Sequence, residues 1–471
     1  LSRPKITTNK KITIVGAGLT GALLAVLLGR RGYEVEILER RPDPRLGSVD
    51  AGRSINLALS SRGIQAFEMA GLMDQVRSLL IPMRGRMLHL EDGSSKFSPY
   101  GSRPHEVIYS ISRRDLNLLL INAAEAAEPV HVRFGQSLET VDFTNHSMTV
   151  VDPISGDGCQ QEYEVLIGAD GAGSRVRRSL ISAVGGEATS ELLDHEYKEL
   201  EIPARKRLDG LEDGPPWSME REALHIWPRG SYMLIALPNQ DGSFTVTLFM
   251  PKETAPGTDG PSFQSLAQPK NLHRFFQVHF ADAFELIPEL EDDFYQHPQG
   301  LLGTIRCRPW HYGDSAVILG DASHAIVPFH GQGMNAGLED CSELVRLLEK
   351  HRDDWGRTLT EFDAIRRPNA NAIADMALEN YMTMRKSVTD PQFHLKKNLG
   401  FKLEKCFPNR FVPRYSLVMF HLLPYRECAQ RGKIQGQILA ELVEGKQNLD
   451  EVDFELAERL VRERLVELPP S

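Results

Sequence analysis

The segment KITIVGAGLTGALLAVLLGRRGYEVEILER (11–40) leaves the chain little choice of fold. A short apolar run meets a glycine turn, then an apolar helical stretch, then a second apolar run, which is the pattern of a βαβ unit. Gly16, Gly18 and Gly21 fit GxGxxG. In that pattern Gly16 makes the tight turn, Gly18 lets the backbone approach a diphosphate, and Gly21 lets helix and strand pack closely. The phosphates would rest at the positive helix N-terminus, and Glu39, closing the second strand, would accept a hydrogen bond from a ribose hydroxyl. An acid at that position, rather than an arginine, fits an unphosphorylated ribose such as that of NAD or FAD. A glycine turn serving packing alone is the other reading.

Composition narrows the class. The chain has 471 residues, enough for two or three domains, with 41% hydrophobic residues and mixed charge, as in a globular protein. A net charge of -10 argues against nucleic acid as a partner. Five cysteines (Cys159, Cys307, Cys341, Cys406 and Cys428) are scattered and form no CxxC, which argues against a disulfide framework or a zinc site and for a reducing compartment. No secretory signal is expected from the polar start. The apolar stretch from Ala17 to Leu28 is too short to span a bilayer. A second stretch, FVPRYSLVMFHLLPY (411–425), contains Arg414, His421 and two prolines and reads as a buried helix. The expectation is a cytoplasmic protein with no membrane segment, unless a C-terminal anchor has been removed. His324 and His330 share a loop but lack ligand partners at metal spacing, so no metal is expected.

Two further segments belong with the first. EYEVLIGADGAGSRVRRSL (162–180) is a strand leading to Asp170 and then a helix. Asp170 stands at a strand's carboxyl end, where ligands of parallel sheets gather, although an Asp before a helix is also a common N-cap. LGDASHAIVPFHGQGMNAGLED (319–340) runs from a strand through Asp321, which could hold sugar hydroxyls, to a helix expected from Asn335 onward. The free N–H groups of that helix would face whatever rests on residues 331–335. No second GxGxxG occurs, and the CxxxxC or CxxC of a disulfide reductase is absent.

The order GxGxxG, GADG, LGDA resembles the class A flavoprotein monooxygenases, the one-component FAD hydroxylases. The resemblance implies that the first motif takes the ADP half of FAD, the second bridges FAD and NADPH, and the third holds the ribityl chain and flavin ring. NADPH then binds without a Rossmann unit of its own. Further stretches narrow the likeness: GRSINLALSSRG (52–63), IPMRGRMLH (81–89), SPYG (98–101), YSISRRDLN (109–117), LHIWPRG (224–230), LFMP (248–251) and PFHGQGMNAGLEDC (328–341) resemble the kynurenine 3-monooxygenase family, over about residues 10 to 430. That family hydroxylates L-kynurenine to 3-hydroxykynurenine in tryptophan catabolism, on the way to pyridine nucleotides. It uses NADPH, O2 and a flavin C4a-hydroperoxide, and needs no nucleophilic side chain.

For FAD the resemblance points to Thr20, Glu39, Arg40, Ala58 and Arg113, and further to Leu138, Asp321, Met334 and Asn335. For the substrate carboxylate it points to Arg86 with Tyr100, Asn380 and Tyr415, while Pro328, Phe329 and His330 would wall flavin from substrate. By residue pattern alone, IPMRGRMLHL alternates as one strand, so Arg84 and Arg86 would share a face. Both could equally decorate a solvent face, and Tyr415 could be core packing. An arginine fork suits a carboxylate. The alternatives are another class A hydroxylase or epoxidase acting on an anionic aromatic, or a carrier with this fold and no flavin.

The expected fold class is α/β. A discontinuous Rossmann-type FAD-binding domain (1–70, 104–180, 300–368) would be interrupted by an antiparallel β-sheet substrate domain (71–103, 181–299) and followed by helices (369–471). Residues 217–251 read as antiparallel strands with an NQDGS turn, a sheet that could roof the flavin. ELAERLVRERLVEL is the clearest amphipathic helix of the last region.

Overall fold

Ile12–Val15, Val165–Gly168 and Ala316–Ile318 are buried at every residue, as strands covered on both faces must be. In this computed structural model they are neighbours in a six-stranded sheet. Its order is His311–Tyr312, Ala316–Ile318, Val165–Gly168, Ile12–Val15, Val35–Glu39, Val130–Phe134. Its strands pair in parallel except for the first two, which are antiparallel. Ile12 pairs with Val165 on one side and Val35 on the other. The strand order therefore reverses at Ile12–Val15, and the ligand crevice of such a sheet lies beyond its carboxyl end. The structure describes residues 10–46, 56–101, 103–209, 215–386 and 391–468. Residues 52–55, the GRSI of GRSINLALSSRG, lie outside the described residues.

The chain groups into two compact units. One takes the described residues within Leu1–Leu80, Ile111–Leu193 and Leu302–Ala374; the other takes those within Ile81–Ser110, Asp194–Leu301 and Asp375–Ser471. The three regions read from the sequence thus become two. The expected boundary at 368 falls inside one helix, Trp355–Lys386, which continues through Pro368. The later helices share the second unit with the sheet because side chains tie them there. Tyr381 donates its hydroxyl to Asp194 at 2.8 Å, and Tyr415 stacks on Tyr100 with ring centroids 5.7 Å apart.

In the second unit Tyr232–Pro238 and Phe244–Pro251 form the expected hairpin, closed by the Asn239 N–H donating to the Ser243 carbonyl at 2.8 Å. Neighbouring strands run antiparallel, save that Ala223–Arg229 lies parallel to Gly85–His89. That pair comes from distant segments and needs no hairpin. Phe275 and Phe276 of helix Pro269–His279 pack with Trp227, Leu234 and Val246 of the sheet in one apolar core. The C-terminal helices have their own core, with Leu399, Leu403, Phe411, Ile438 and Val461. Among the described residues no helix is long and apolar enough to cross a membrane.

The run IPMRGRMLHL is not one strand. It breaks at Arg84: Ile81–Met83 pairs antiparallel with Ile108–Ser112, while Gly85–His89 joins the larger sheet. The two-residue alternation that would put Arg84 and Arg86 on one face does not survive a change of sheet.

Candidate active site

The three glycine-bearing segments converge within the first unit. Gly16 adopts φ +104°, and a Cβ there would lie 2.5 Å from the Ala169 carbonyl oxygen. The GxGxxG turn therefore sits directly on the Gly168-Ala169-Asp170 turn. A Cβ at Gly21 would collide with the Gly16 carbonyl, so helix Leu19–Arg30 abuts its own loop. Gly18 differs, since nothing lies within 4 Å of a Cβ built there. It is the helix N-cap, with no side-chain cap, so first-turn N–H groups and the positive helix end face open space.

Glu39 is buried and already committed. Its carboxylate accepts the Ala17 N–H at 2.9 Å, and the Arg41 N–H and Nε at 3.0 and 2.8 Å. Burial alone would raise its pKa, but Arg41 and these backbone donors lower it below the ordinary value. A carboxylate has further lone pairs, so the group that braces the loop can still accept from a ligand hydroxyl. Arg40, next in sequence, is exposed. Arg113 is exposed too, at the first position of helix Arg113–Glu125, whose Ser112 cap accepts from the Asp115 N–H. Leu138 is buried, and its carbonyl accepts from Arg175 at 2.9 Å.

Asp170 is not the N-cap of the following helix, a place taken by Ser174, but it does brace that helix start. One carboxylate oxygen accepts the Arg175 and Val176 N–H groups at 2.7 and 3.3 Å, holding the start of helix Arg175–Val184. The other oxygen is buried with no hydrogen-bond partner among the described residues. A buried acceptor left unsatisfied costs about 1–3 kcal/mol, so a ligand hydroxyl is the natural complement.

The helix of the third segment starts at Gly333, earlier than the expected Asn335, so Met334 and Asn335 lie in its first turn. It too lacks a side-chain cap. Asn335 is fully buried and turned to backbone: it accepts the Ser60 N–H at 2.9 Å and donates to the Ala58 and Gly331 carbonyls at 2.8 and 3.0 Å. It thereby clamps strand Asn56–Leu59 to the helix start. Thr20 packs under this segment, since Cβ atoms at Gly320 and Gly337 would reach its hydroxyl at 3.0 and 2.8 Å. Asp321 is exposed at the head of the short helix Asp321–His324. Pro328, Phe329 and His330 form a 3-10 turn in which His330 is buried and Phe329 half-buried.

Three residues that hold this crevice together escape sequence reasoning. Asn117 donates to the Ala17 carbonyl at 2.8 Å. Arg177 donates to the carbonyls of Ala322 and Ala172 at 2.7 and 2.6 Å, joining the second and third segments. Asp340 is fully buried on helix Gly333–Lys350 and accepts from Gly320, His324 and Arg366. Its signal was present: Ala336, Asp340 and Leu344 are spaced by four, which sets an acid in the apolar stripe.

A separate cluster forms within the second unit. The Arg86 guanidinium lies 4.6 Å from the ring centroid of Tyr415 and 5.1 Å from that of Tyr100, and the two rings stack at 14°. Among the described residues no carboxylate pairs with it. Arg84, by contrast, is exposed and bound to Glu222 at 2.6 Å. Burial pushes the Tyr100 and Tyr415 hydroxyls above the ordinary phenol value, with Arg86 opposing. Both phenols therefore stay neutral donors, and the Tyr100 hydroxyl is buried without a well-formed hydrogen bond. Lys397 is pushed down by desolvation and by repulsion from Arg86 and Lys96, so this part of the unit is positive. Asn380 is half-buried on helix Trp355–Lys386 between two anchors. Glu379 binds Arg414, beside Tyr415, at 2.6 Å, and Tyr381 reaches Asp194. Such a cation, with two aromatic faces and an unsatisfied phenol, suits an aromatic or aliphatic carboxylate.

Comparison with known proteins gives a consistent family. Residues 9–211 and 291–377 match the family model described as FAD binding domain. The chain is 46% identical over 455 residues to a kynurenine 3-monooxygenase of Myxococcus xanthus, covering 96% of this chain and 95% of that one. It is 44% identical over 457 residues to the enzyme of that name from Stenotrophomonas maltophilia, covering 97% of each. Among solved structures, 2-methyl-3-hydroxypyridine-5-carboxylic acid oxygenase is similar with a TM-score of 0.63 at 18% identity, over 84% of this chain and 98% of that chain. Tetracycline destructase Tet(51) is similar with a TM-score of 0.59 at 17% identity, over 86% and 99%. At such identities the structural likeness speaks for the fold alone.

Proposed function

We infer the activity from one premise: the chain belongs to the kynurenine 3-monooxygenase family of FAD-dependent hydroxylases. The protein is an FAD enzyme, and its reaction is the hydroxylation of L-kynurenine to 3-hydroxykynurenine, with NADPH as reductant and O2 as the oxygen source. When bound, FAD would take reducing equivalents from NADPH and activate O2 for transfer of one oxygen atom to the aromatic ring.

The observation that carries the substrate assignment is Arg86, a half-buried cation between Tyr100 and Tyr415 with no carboxylate partner among the described residues. Its planar fork would take both oxygens of the kynurenine carboxylate, and the two rings would keep the fork from rotating away. The Tyr100 hydroxyl, neutral and unsatisfied, would donate a further hydrogen bond. Asn380 and the ring face of Tyr415 would complete the grip. Held by its carboxylate end, the substrate would present one ring carbon reproducibly, and positioning of this kind is the protein's main contribution to the reaction.

The first unit would hold FAD along its crevice. The uncapped start of helix Leu19–Arg30 suits the diphosphate, and Glu39 and the second oxygen of Asp170 suit hydroxyl groups. Thr20, Ala58, Arg113, Leu138 and Asp321 would line its length, with Arg40 at the exposed rim. The uncapped start of helix Gly333–Lys350, with Met334 and Asn335, favours negative charge on the ring by roughly 0.3 to 2 kcal/mol. Pro328, Phe329 and His330 would exclude water from the reacting side.

The test is NADPH oxidation by the purified yellow protein, with and without L-kynurenine, and identification of the product by mass. Kynurenine should accelerate oxidation and gain one oxygen atom. Equal rates in both arms, with no oxygenated product, would remove kynurenine as the substrate.

A further inference from the structure

Asp340 has no assigned part in the reaction, yet it sits where two walls of the candidate flavin crevice meet. Gly320 adopts φ +59°, a conformation that only glycine takes without strain. Its N–H donates to Asp340 Oδ2 at 2.9 Å, which fixes the peptide from which Asp321 projects. His324, at the end of the same short helix, donates from Nε2 to the same oxygen at 2.5 Å. The other oxygen accepts Arg366 Nε at 2.7 Å, and Arg366 also donates to the Ala336 carbonyl at 3.2 Å. Arg366 goes on to Glu339 at 2.7 Å, and Glu339 also binds Arg62. All of these residues belong to the first unit.

We propose that Asp340 is a positioning residue for the flavin: its carboxylate locks the Gly320–His324 segment to helix Gly333–Lys350, so that both FAD-facing backbones are set by one buried anion. This rests on the reading that FAD lies in that crevice. Every partner of Asp340 is a donor, so the site requires an ionised carboxylate and nothing else satisfies it. Burial by itself would raise its pKa, but His324, Arg366 and the Gly320 N–H hold it down to about 2. The carboxylate is therefore charged throughout the working range.

The test uses D340N. Whichever way the amide turns, its NH2 group meets a donor, either Arg366 or the Gly320–His324 pair. Three quantities are measured: the FAD dissociation constant of the apoprotein, the midpoint potential of the bound flavin, and the melting temperature without FAD. The dissociation constant should rise about tenfold or more, as expected for misdirected hydrogen bonds to a charged group. The potential should shift, since one buried negative charge is gone. A fall in melting temperature with the dissociation constant and potential both unchanged would mean that Asp340 only supports the fold, and would overturn the proposal. If D340N does not fold, His324→Gln and His324→Leu replace it. The glutamine can still donate to Asp340 and should keep wild-type FAD affinity, while the leucine cannot and should lose it. Equal FAD affinity in the two variants would also overturn the proposal. Wild-type protein that binds no FAD would sink the flavin site itself, and the positioning role with it.

Discussion

Arg86→Ala is the sharpest perturbation of the substrate assignment. The guanidinium stands 4.6 and 5.1 Å from two ring centroids, with no carboxylate partner among the described residues. If kynurenine supplies that carboxylate, truncation leaves an anion facing two phenols without the guanidinium that would pair with it. Removing one partner of a buried charge pair costs roughly 2 to 5 kcal/mol. Arg86 is half-buried, which places the loss near the low end. At about 1.4 kcal/mol per decade, a loss of about 2 kcal/mol weakens binding about 30-fold. Arg86→Lys should recover only part of this, because a point charge cannot make the two-pronged contact. Arg84→Ala is the control. Its bond to Glu222 is short, but the two side chains are 56% and 39% exposed, so the pair contributes at most about 1 kcal/mol to stability. Kynurenine affinity is read by titrating the oxidised holoenzyme and following flavin fluorescence. FAD content should be normal in all three variants. If Arg86→Ala binds kynurenine as wild type does, the carboxylate lies elsewhere and the argument for an anionic substrate falls.

The other predictions address the ring stack, the glycine loop and acid stability. Tyr415→Leu should weaken kynurenine binding by roughly 0.5 to 2 kcal/mol through loss of the cation–π contact, whereas Tyr415→Phe should not; equal losses would assign the effect to the hydroxyl. Gly16→Ala must strain a backbone at φ +104° and push on the Ala169 carbonyl, lowering the stability of FAD-free protein by roughly 1 to 3 kcal/mol. Gly18→Val has open space, so FAD-free stability should fall by at most about 1 kcal/mol while FAD retention is lost; a fully yellow Gly18→Val protein would refute the diphosphate assignment. Burial, with a smaller contribution from His89, lowers the pKa of His225 from 6.5 to about 4. The unfolded chain therefore takes up this proton first, and roughly 3 kcal/mol of stability present above pH 6.5 is lost as pH falls toward 4. Urea titrations at pH 7 and pH 5 should show about 2 kcal/mol of this loss in wild type and less of it in His225→Gln. Matching losses would show that His225 is not the source.

The parts of the fold legible in the sequence are those written in local pattern. ITIV and VLIG are apolar at every residue because both faces are covered. The NQDGS turn names its hairpin through Gly242, at φ +93°, and Asp241, which accepts the Ser243 N–H at 3.0 Å. Gly16 and Gly21 are needed because a Cβ at either would strike backbone. Other features were not legible. The alternation of IPMRGRMLHL is interrupted at Arg84 by the sheets it joins, and Gly85 beside it is the one local mark of the break. The expected boundary at 368 also fails, because helix Trp355–Lys386 runs through it with Pro368 inside.

The sequence by itself determined that a tight glycine turn joins strand Ile12–Val15 to helix Leu19–Arg30. Steric demands within a few residues of a turn are short-ranged and admit few residue types. Only the tertiary structure decided which charges find an ionic partner within the protein and which do not. Arg84 and Arg86 are chemically identical and two residues apart, but one meets Glu222 and the other meets two rings. Asp321 and Asp340 are likewise identical, one exposed and one enclosed by three donors. A side chain's charge is fixed by its chemistry, whereas its partner is set by where remote segments cross, and those crossings carry no local signature.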